Sequence, residues 1–107
     1  MAQDRNVQTQ GKQDIVLEQV AVLRQRIDDL DEEIIRLLNA RAEDANEIGR
    51  LKDKIGMATY QPNREIEVLN HARSVNGGPL DAGAITRLFE RIIDESRRVE
   101  RLANGRD

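Results

Sequence analysis

The sequence predicts an all-α fold: three helices per chain, the first of them very long, assembled into a homodimeric helical bundle. Three observations carry that reading. Apolar residues recur at steps of three and four from Val16 towards Ile55, and no proline interrupts them, as expected of one amphipathic helix. Charged residues make up 35% of the 107 residues and aromatic residues 2%, with no tryptophan. That balance suits long helices around an aliphatic core better than a β-sandwich. Finally, a helix of ~40 residues is ~60 Å long, whereas a compact domain of this size has a radius of gyration near ~13 Å. Most of the stripe would face water unless a second copy covers it.

Taken in order, residues 1–13 are Gln-rich and polar, include Gly11, and offer almost nothing to bury. They are expected to form a disordered polar tail, with the folded domain over residues 14–104. Asp14 is placed to cap the first helix. Its stripe is Val16, Val20, Leu23, Ile27, Leu30, Ile34, Leu37 and Leu38, then Ala45, Ile48, Leu51 and Ile55, close to a 3.5-residue repeat. Gly56 suits a helix C-terminus, and residues 57–61 form a short connection. Pro62 suits the first turn of a second helix, with Gln61 or Asn63 nearby as a cap. That helix runs to about Arg73 with Ile66, Val68 and Leu69 as its apolar positions. Residues 74–79, Ser-Val-Asn-Gly-Gly-Pro, have turn composition. Asp81 caps a third helix whose stripe is Ile85, Leu88, Phe89, Ile92, Ile93, Val99 and Leu102.

Several function classes are disfavoured. The formal net charge of −3 gives no basic field for nucleic acid or an anionic membrane. There is no cysteine for thiolate chemistry and His71 is the only histidine, so a histidine-based metal site is not expected. No apolar run is long enough to span a bilayer. Residues 1–5 lack the apolar core of a secretory signal, and a cytoplasmic location is expected.

A few polar residues stand on or beside apolar stripes. Arg41 and Lys52 are eleven residues apart, so they project from one helical face to within ~20°. A cation on an inward face needs an anion, because burying an unpaired charge is costly. Arg64 follows Pro62, Ser96 falls on the third stripe, and Glu100 lies one turn beyond it. Arg24 is a further candidate, but it lies ~100° from Arg41 in projection and ~25 Å away along the axis. It can join the same site only from the other subunit of a dimer with antiparallel long helices. Taken singly, each of these residues also fits a solvated helix face with i,i+4 pairs, Ser96 a small packing residue and Glu100 a surface acid beside Arg97 and Arg101. Gly49, one turn before Lys52, fits close helix packing.

In combination the pattern resembles the all-helical class of chorismate mutases. The matching residues are Leu23-Arg24-x-x-Ile27-Asp28-x-Leu30-Asp31, then Ile34-Ile35-x-Leu37-Leu38-x-x-Arg41, then Ala45-x-x-Ile48-Gly49-x-x-Lys52. They continue with Pro62-x-Arg64-Glu65 and close with Ile85-x-x-Leu88-Phe89-x-x-Ile92-Ile93-x-x-Ser96-x-x-x-Glu100. The similarity covers about residues 17–102.

The resemblance implies an intertwined homodimer with two active sites that rearranges chorismate to prephenate, in the shikimate pathway to phenylalanine and tyrosine, with no cofactor or metal. It implies that Arg41, with Arg24 from the other protomer, clamps the two substrate carboxylates, and that Lys52 donates to the ether oxygen. Glu100 stands where the family donates to that oxygen from the other side. An ionised carboxylate cannot donate, so the protonated form is expected to be active. Glu65 and the backbone near Gln61 would bind the ring hydroxyl, Arg64 would support that end, and Ser96 would assist a carboxylate. Ile48, Val68 and Ile93 would form apolar walls. Two positions depart from the family: Gln61 stands where Asp is frequent, and Arg97 where some members have an apolar pocket residue.

Other readings remain open on the same pattern. One is an isochorismate pyruvate-lyase with a similar carboxylate clamp. Another is a regulatory module partnered with, or fused to, an aromatic-pathway synthase or dehydratase. A third is a helical dimerisation module with no ligand.

Overall fold

The computed structural model describes residues 2–105, and side chains for residues 9–105. Three helices follow in order: α1 (Ala2–Lys54), α2 (Pro62–Val75) and α3 (Ala82–Ala103). No strand is present among the described residues. The all-α reading, with one very long first helix, is borne out.

The start of α1 differs from expectation. The helix begins at Ala2, so Asp14 is an interior residue and not a cap, and residues 2–13 are helical where an irregular tail was expected. Met1 lies outside the described residues. The physical reason lies in propensity: this segment has no proline and is rich in Gln, with one each of Ala, Lys and Arg, all good helix formers. Gly11 costs only about 1 kcal/mol against them.

The chain divides into two compact units, residues up to Leu38 and residues from Asn39 onward. The first unit is helix alone. Leu23, Ile27, Leu30, Ile34 and Leu37 are each 51–61% exposed. Local polar pairs mark its other positions: Gln25 with Asp29 at 3.0 Å, and Arg36 with Glu33.

The second unit contains the end of α1 together with α2 and α3. Its most buried apolar residues are Ala45, Ala72 and Ile93, one from each helix. Gly56, at φ 66°, ends α1, with the Met57 amide donating to the Lys52 carbonyl at 2.9 Å. The left-handed backbone there favours glycine. Pro62 opens α2 as expected, and Gln61 precedes it, but the Gln61 side chain makes no capping bond. Its amide instead donates to the Ala58 carbonyl at 3.0 Å. Asn63 lies inside the helix. Asp81 caps α3 by accepting from the Ala84 amide at 2.7 Å. Arg73 near the end of α2 donates to Thr86 near the start of α3 at 3.0 Å, tying the two across the connecting turn.

Candidate active site

A cleft of about 540 Å³ opens in the second unit, lined by all three helices and the α1–α2 connection. It gathers ten of the residues singled out in the sequence: Arg41, Ile48, Lys52, Gln61, Arg64, Glu65, Val68, Ile93, Ser96 and Glu100. Arg24 is not among them; it belongs to the first unit.

α1 supplies one wall because Arg41, Ala45, Ile48 and Lys52 share a face at helical spacing. Arg41 donates to Ser96 Oγ, which in turn donates to the Ile92 carbonyl at 2.9 Å. No carboxylate lies at ion-pair distance from Arg41 among the described residues. Burial pushes its guanidinium pKa below the ordinary value, and the neighbouring Arg64 charge pushes the same way. Both effects disfavour the charged form. A ligand anion placed here would relieve both.

At the other end of that wall, Lys52 Nζ donates to Glu100 Oε2 at 2.8 Å and to the Thr59 carbonyl at 3.1 Å. The two side chains are only 14% and 13% exposed, so solvent screens this pair far less than a surface one. The reason they meet is Gly49. A Cβ on Gly49 would lie 2.8 Å from the Glu100 backbone oxygen and 2.9 Å from its Cα. The backbones of α1 and α3 therefore touch at Gly49, and Lys52, one turn further along, reaches the carboxylate of Glu100. The expectation of close helix packing at Gly49 is met at this contact.

The third side of the cleft is formed by Glu65 and Arg97. Glu65 Oε1 and Arg97 Nε are 3.0 Å apart, yet neither atom meets hydrogen-bond geometry, although both are buried. They face each other as charges with the N–H off axis. Arg97 also pairs with Asp94 and lies over the Tyr60 ring at 5.4 Å from its centre.

Sequence reasoning missed Asp44, Met57 and Thr59 as lining residues. Asp44 is three residues from Arg41, on a neighbouring helical position, and that spacing could have found it. Thr59 contributes a backbone carbonyl, for which a single sequence carries no signal. His71 is exposed and outside the cleft.

The arrangement suits a small polyanion bearing a hydroxyl. Arg41, Lys52, Arg64 and Arg97 supply donors, Asp44, Glu65 and Glu100 supply carboxyl groups, and Ile48, Val68 and Ile93 supply apolar surface. Ser96 Oγ engages Arg41 and a carbonyl, so it lacks the base an activated nucleophile needs.

Known proteins give the same picture. The family model for chorismate mutase type II matches residues 23–101. A bifunctional chorismate mutase/prephenate dehydratase from Neisseria gonorrhoeae is 45% identical over 78 residues, covering 73% of this chain and 21% of that protein. The chain thus spans about a fifth of the length of that relative. A chorismate mutase from Methanocaldococcus jannaschii is 22% identical over 87 residues, covering 80% of this chain and 88% of the relative. Among solved structures, chorismate mutase (form II) from Thermus thermophilus superposes with a TM-score of 0.75 at 36% identity, covering 77% of this chain and 93% of that one. With three quarters of the sequence matched and the helices superposing, the chain belongs to the chorismate mutase type II family.

Proposed function

We propose that this chain catalyses the rearrangement of chorismate to prephenate, as an intertwined homodimer whose cleft is completed by Arg24 of the partner subunit. The observation that carries the reading is the cleft itself. It sets the largely enclosed pair Lys52–Glu100 at one place and Arg41, a guanidinium with no carboxylate partner among the described residues, at another.

The chemistry follows from the substrate. In this sigmatropic reaction an ether C–O bond breaks as a C–C bond forms, and no proton is gained or lost. The site's task is to hold an extended dicarboxylate in its compact reactive conformer and to meet the charge that builds on the ether oxygen. Arg41 and the partner's Arg24 would grip the carboxylates with charge-assisted bonds, which selects the reactive geometry. Ser96 holds Arg41 in place for that grip. Lys52 donates where charge develops and so favours the transition state over the ground state. Glu100, protonated, would donate to the same oxygen. In the structure it is the acceptor of Lys52's bond, so substrate must enter between the two. Glu65, with the backbone near Gln61, would bind the ring hydroxyl, the carboxylate accepting its hydrogen bond, with Arg64 supporting that end.

The test follows chorismate loss by ultraviolet absorbance with purified protein, together with assay of prephenate and, from isochorismate, of pyruvate. Prephenate formation supports the reading. Pyruvate from isochorismate with no prephenate would make the chain a lyase, and absence of both would leave a binding or dimerisation module.

A partner enzyme is a second element of the proposal. The Neisseria relative and one from Pseudomonas aeruginosa join chorismate mutase to prephenate dehydratase, so we place this chain beside an aromatic-pathway enzyme, fused or associated. Chorismate turnover that rises on adding a candidate synthase or dehydratase would reveal it. No helix among the described residues is long and apolar enough to cross a membrane, and a cytoplasmic site of action fits the proposed substrate.

A further inference from the structure

Arg97 is the cation of the cleft that the proposed reaction leaves without a task. It lines the cleft and is the position where the sequence departs from an apolar residue. We infer that Arg97 is a positioning residue for Glu65: it neutralises that carboxylate and fixes it as the acceptor for the substrate's ring hydroxyl. This inference rests on the chorismate reading.

The first support is what Arg97 is engaged with. Its Nε faces Glu65 Oε1 at 3.0 Å, and its Nη2 is on Asp94. Its guanidinium lies over the Tyr60 ring, an attraction between a cation and an aromatic face. Three neighbours on different sides hold the group still. Nη2 is committed to Asp94 and Nε is turned towards Glu65, so the guanidinium already faces two carboxylates of its own chain.

The second support is the state of Glu65. Its Oε1 is buried without a hydrogen bond, and Arg97 is the one cation at ion-pair distance among the described residues. An ionised carboxylate in such a place needs a counter-charge. Because the Arg97 N–H is off axis, the pair supplies that charge without using up the carboxylate's acceptor capacity. Glu65 is thus held beside a cation and still able to accept, which is what a hydroxyl ligand requires.

The hydroxyl is bound in ground state and transition state alike. Loss of its acceptor therefore raises KM and leaves kcat nearly unchanged. At Lys52 the opposite split is expected.

The experiment is a double-mutant cycle on the full chain with Arg97→Met, Glu65→Gln and the pair. It is read by chorismate kinetics and by calorimetric binding of the bicyclic dicarboxylate that mimics the transition state and carries the hydroxyl. Circular dichroism checks that each variant folds, and Arg97→Lys tests whether charge alone suffices. In the wild-type background, Arg97→Met should raise KM and weaken mimic binding about tenfold, the scale of one charge-assisted bond, with kcat within about threefold. Arg97→Lys should recover most of the loss. In the Glu65→Gln background, Arg97→Met should change binding less than about twofold. Equal effects in the two backgrounds would overturn the inference, since Arg97 would then act on the ligand directly or through packing. A neutral Arg97→Met would overturn it too. A wild-type chain that neither converts chorismate nor binds the mimic would instead sink the functional reading, and this inference with it.

Discussion

From Asn39 onward α1 is packed: Ala45 and Gly49 are buried, and Lys52 is paired with Glu100. Before Leu38 the same helix carries Leu23, Ile27, Leu30, Ile34 and Leu37 at the same spacing, and each is more than half exposed. The apolar periodicity is equal in the two regions, so it reports an inward face in each. Only in the second does this chain cover part of the face, at Ala45 and Gly49, while Ile48 and Leu51 stay 45% and 49% exposed. Burying the exposed half of such a side chain contributes roughly 1 kcal/mol, so a two-fold dimer would gain on the order of 10 kcal/mol from these positions. That is comparable with the cost of association. The stripe has to act as a whole, and a second copy is the partner proposed for it.

The largest expected effect comes from breaking the exposed region. Ile27→Glu with Ile34→Glu should give a monomer by sedimentation and no measurable chorismate turnover, because the proposed site draws Arg24 from the other chain. A dimeric, active double variant would remove this face from the interface. Next comes the packed region. Lys52→Ala should leave the dimer intact and lower kcat by on the order of 10²–10³, the scale of losing one oxyanion-type donor. Near-normal turnover would take Lys52 out of the mechanism.

Gly49→Ala should be milder. Its new Cβ would press on the Glu100 backbone at 2.8 Å, costing about 1–3 kcal/mol in thermal or denaturant unfolding. Pushing α3 away should also lower kcat, about tenfold, by moving Glu100 off Lys52. An alanine variant of normal stability and rate would mean that the two helices part freely here. The smallest effect concerns Glu100, which faces Lys52 across the cleft. Glu100→Gln keeps a side-chain donor there and should hold kcat within about threefold, whereas Glu100→Ala should lower it about tenfold or more. Equal rates in the Gln and Ala variants would contradict a donor role at this position.

The legible parts of the fold were those with local causes. Pro62 and Asp81 mark helix starts, and Gly56 a helix end, through backbone chemistry that a single residue dictates. The start of α1 was not legible, because no residue among the first thirteen forbids helix, and polar composition is equally compatible with helix and coil. Within the site, Arg41, Lys52, Ser96 and Glu100 stood out on or beside apolar stripes, but singly each also fitted a solvated or packing role, and it was the resemblance that joined them into a site. The Thr59 carbonyl could not, since backbone atoms have no identity in the sequence. Gly49 was visible as an anomaly but unexplained until the Glu100 backbone was placed against it. Arg97 was visible as a departure, while its pairing with Glu65 depends on α2 and α3 meeting.

That one active site takes residues from two chains is tested most directly by mixing two inactive variants, Arg24→Ala and Arg41→Ala, under conditions that allow subunits to exchange. Each mixed dimer would contain one site with both mutations and one with neither. Random exchange at equal concentrations should therefore restore about a quarter of wild-type activity. No recovery, with mixed dimers demonstrated by mass, would contradict a site shared between subunits.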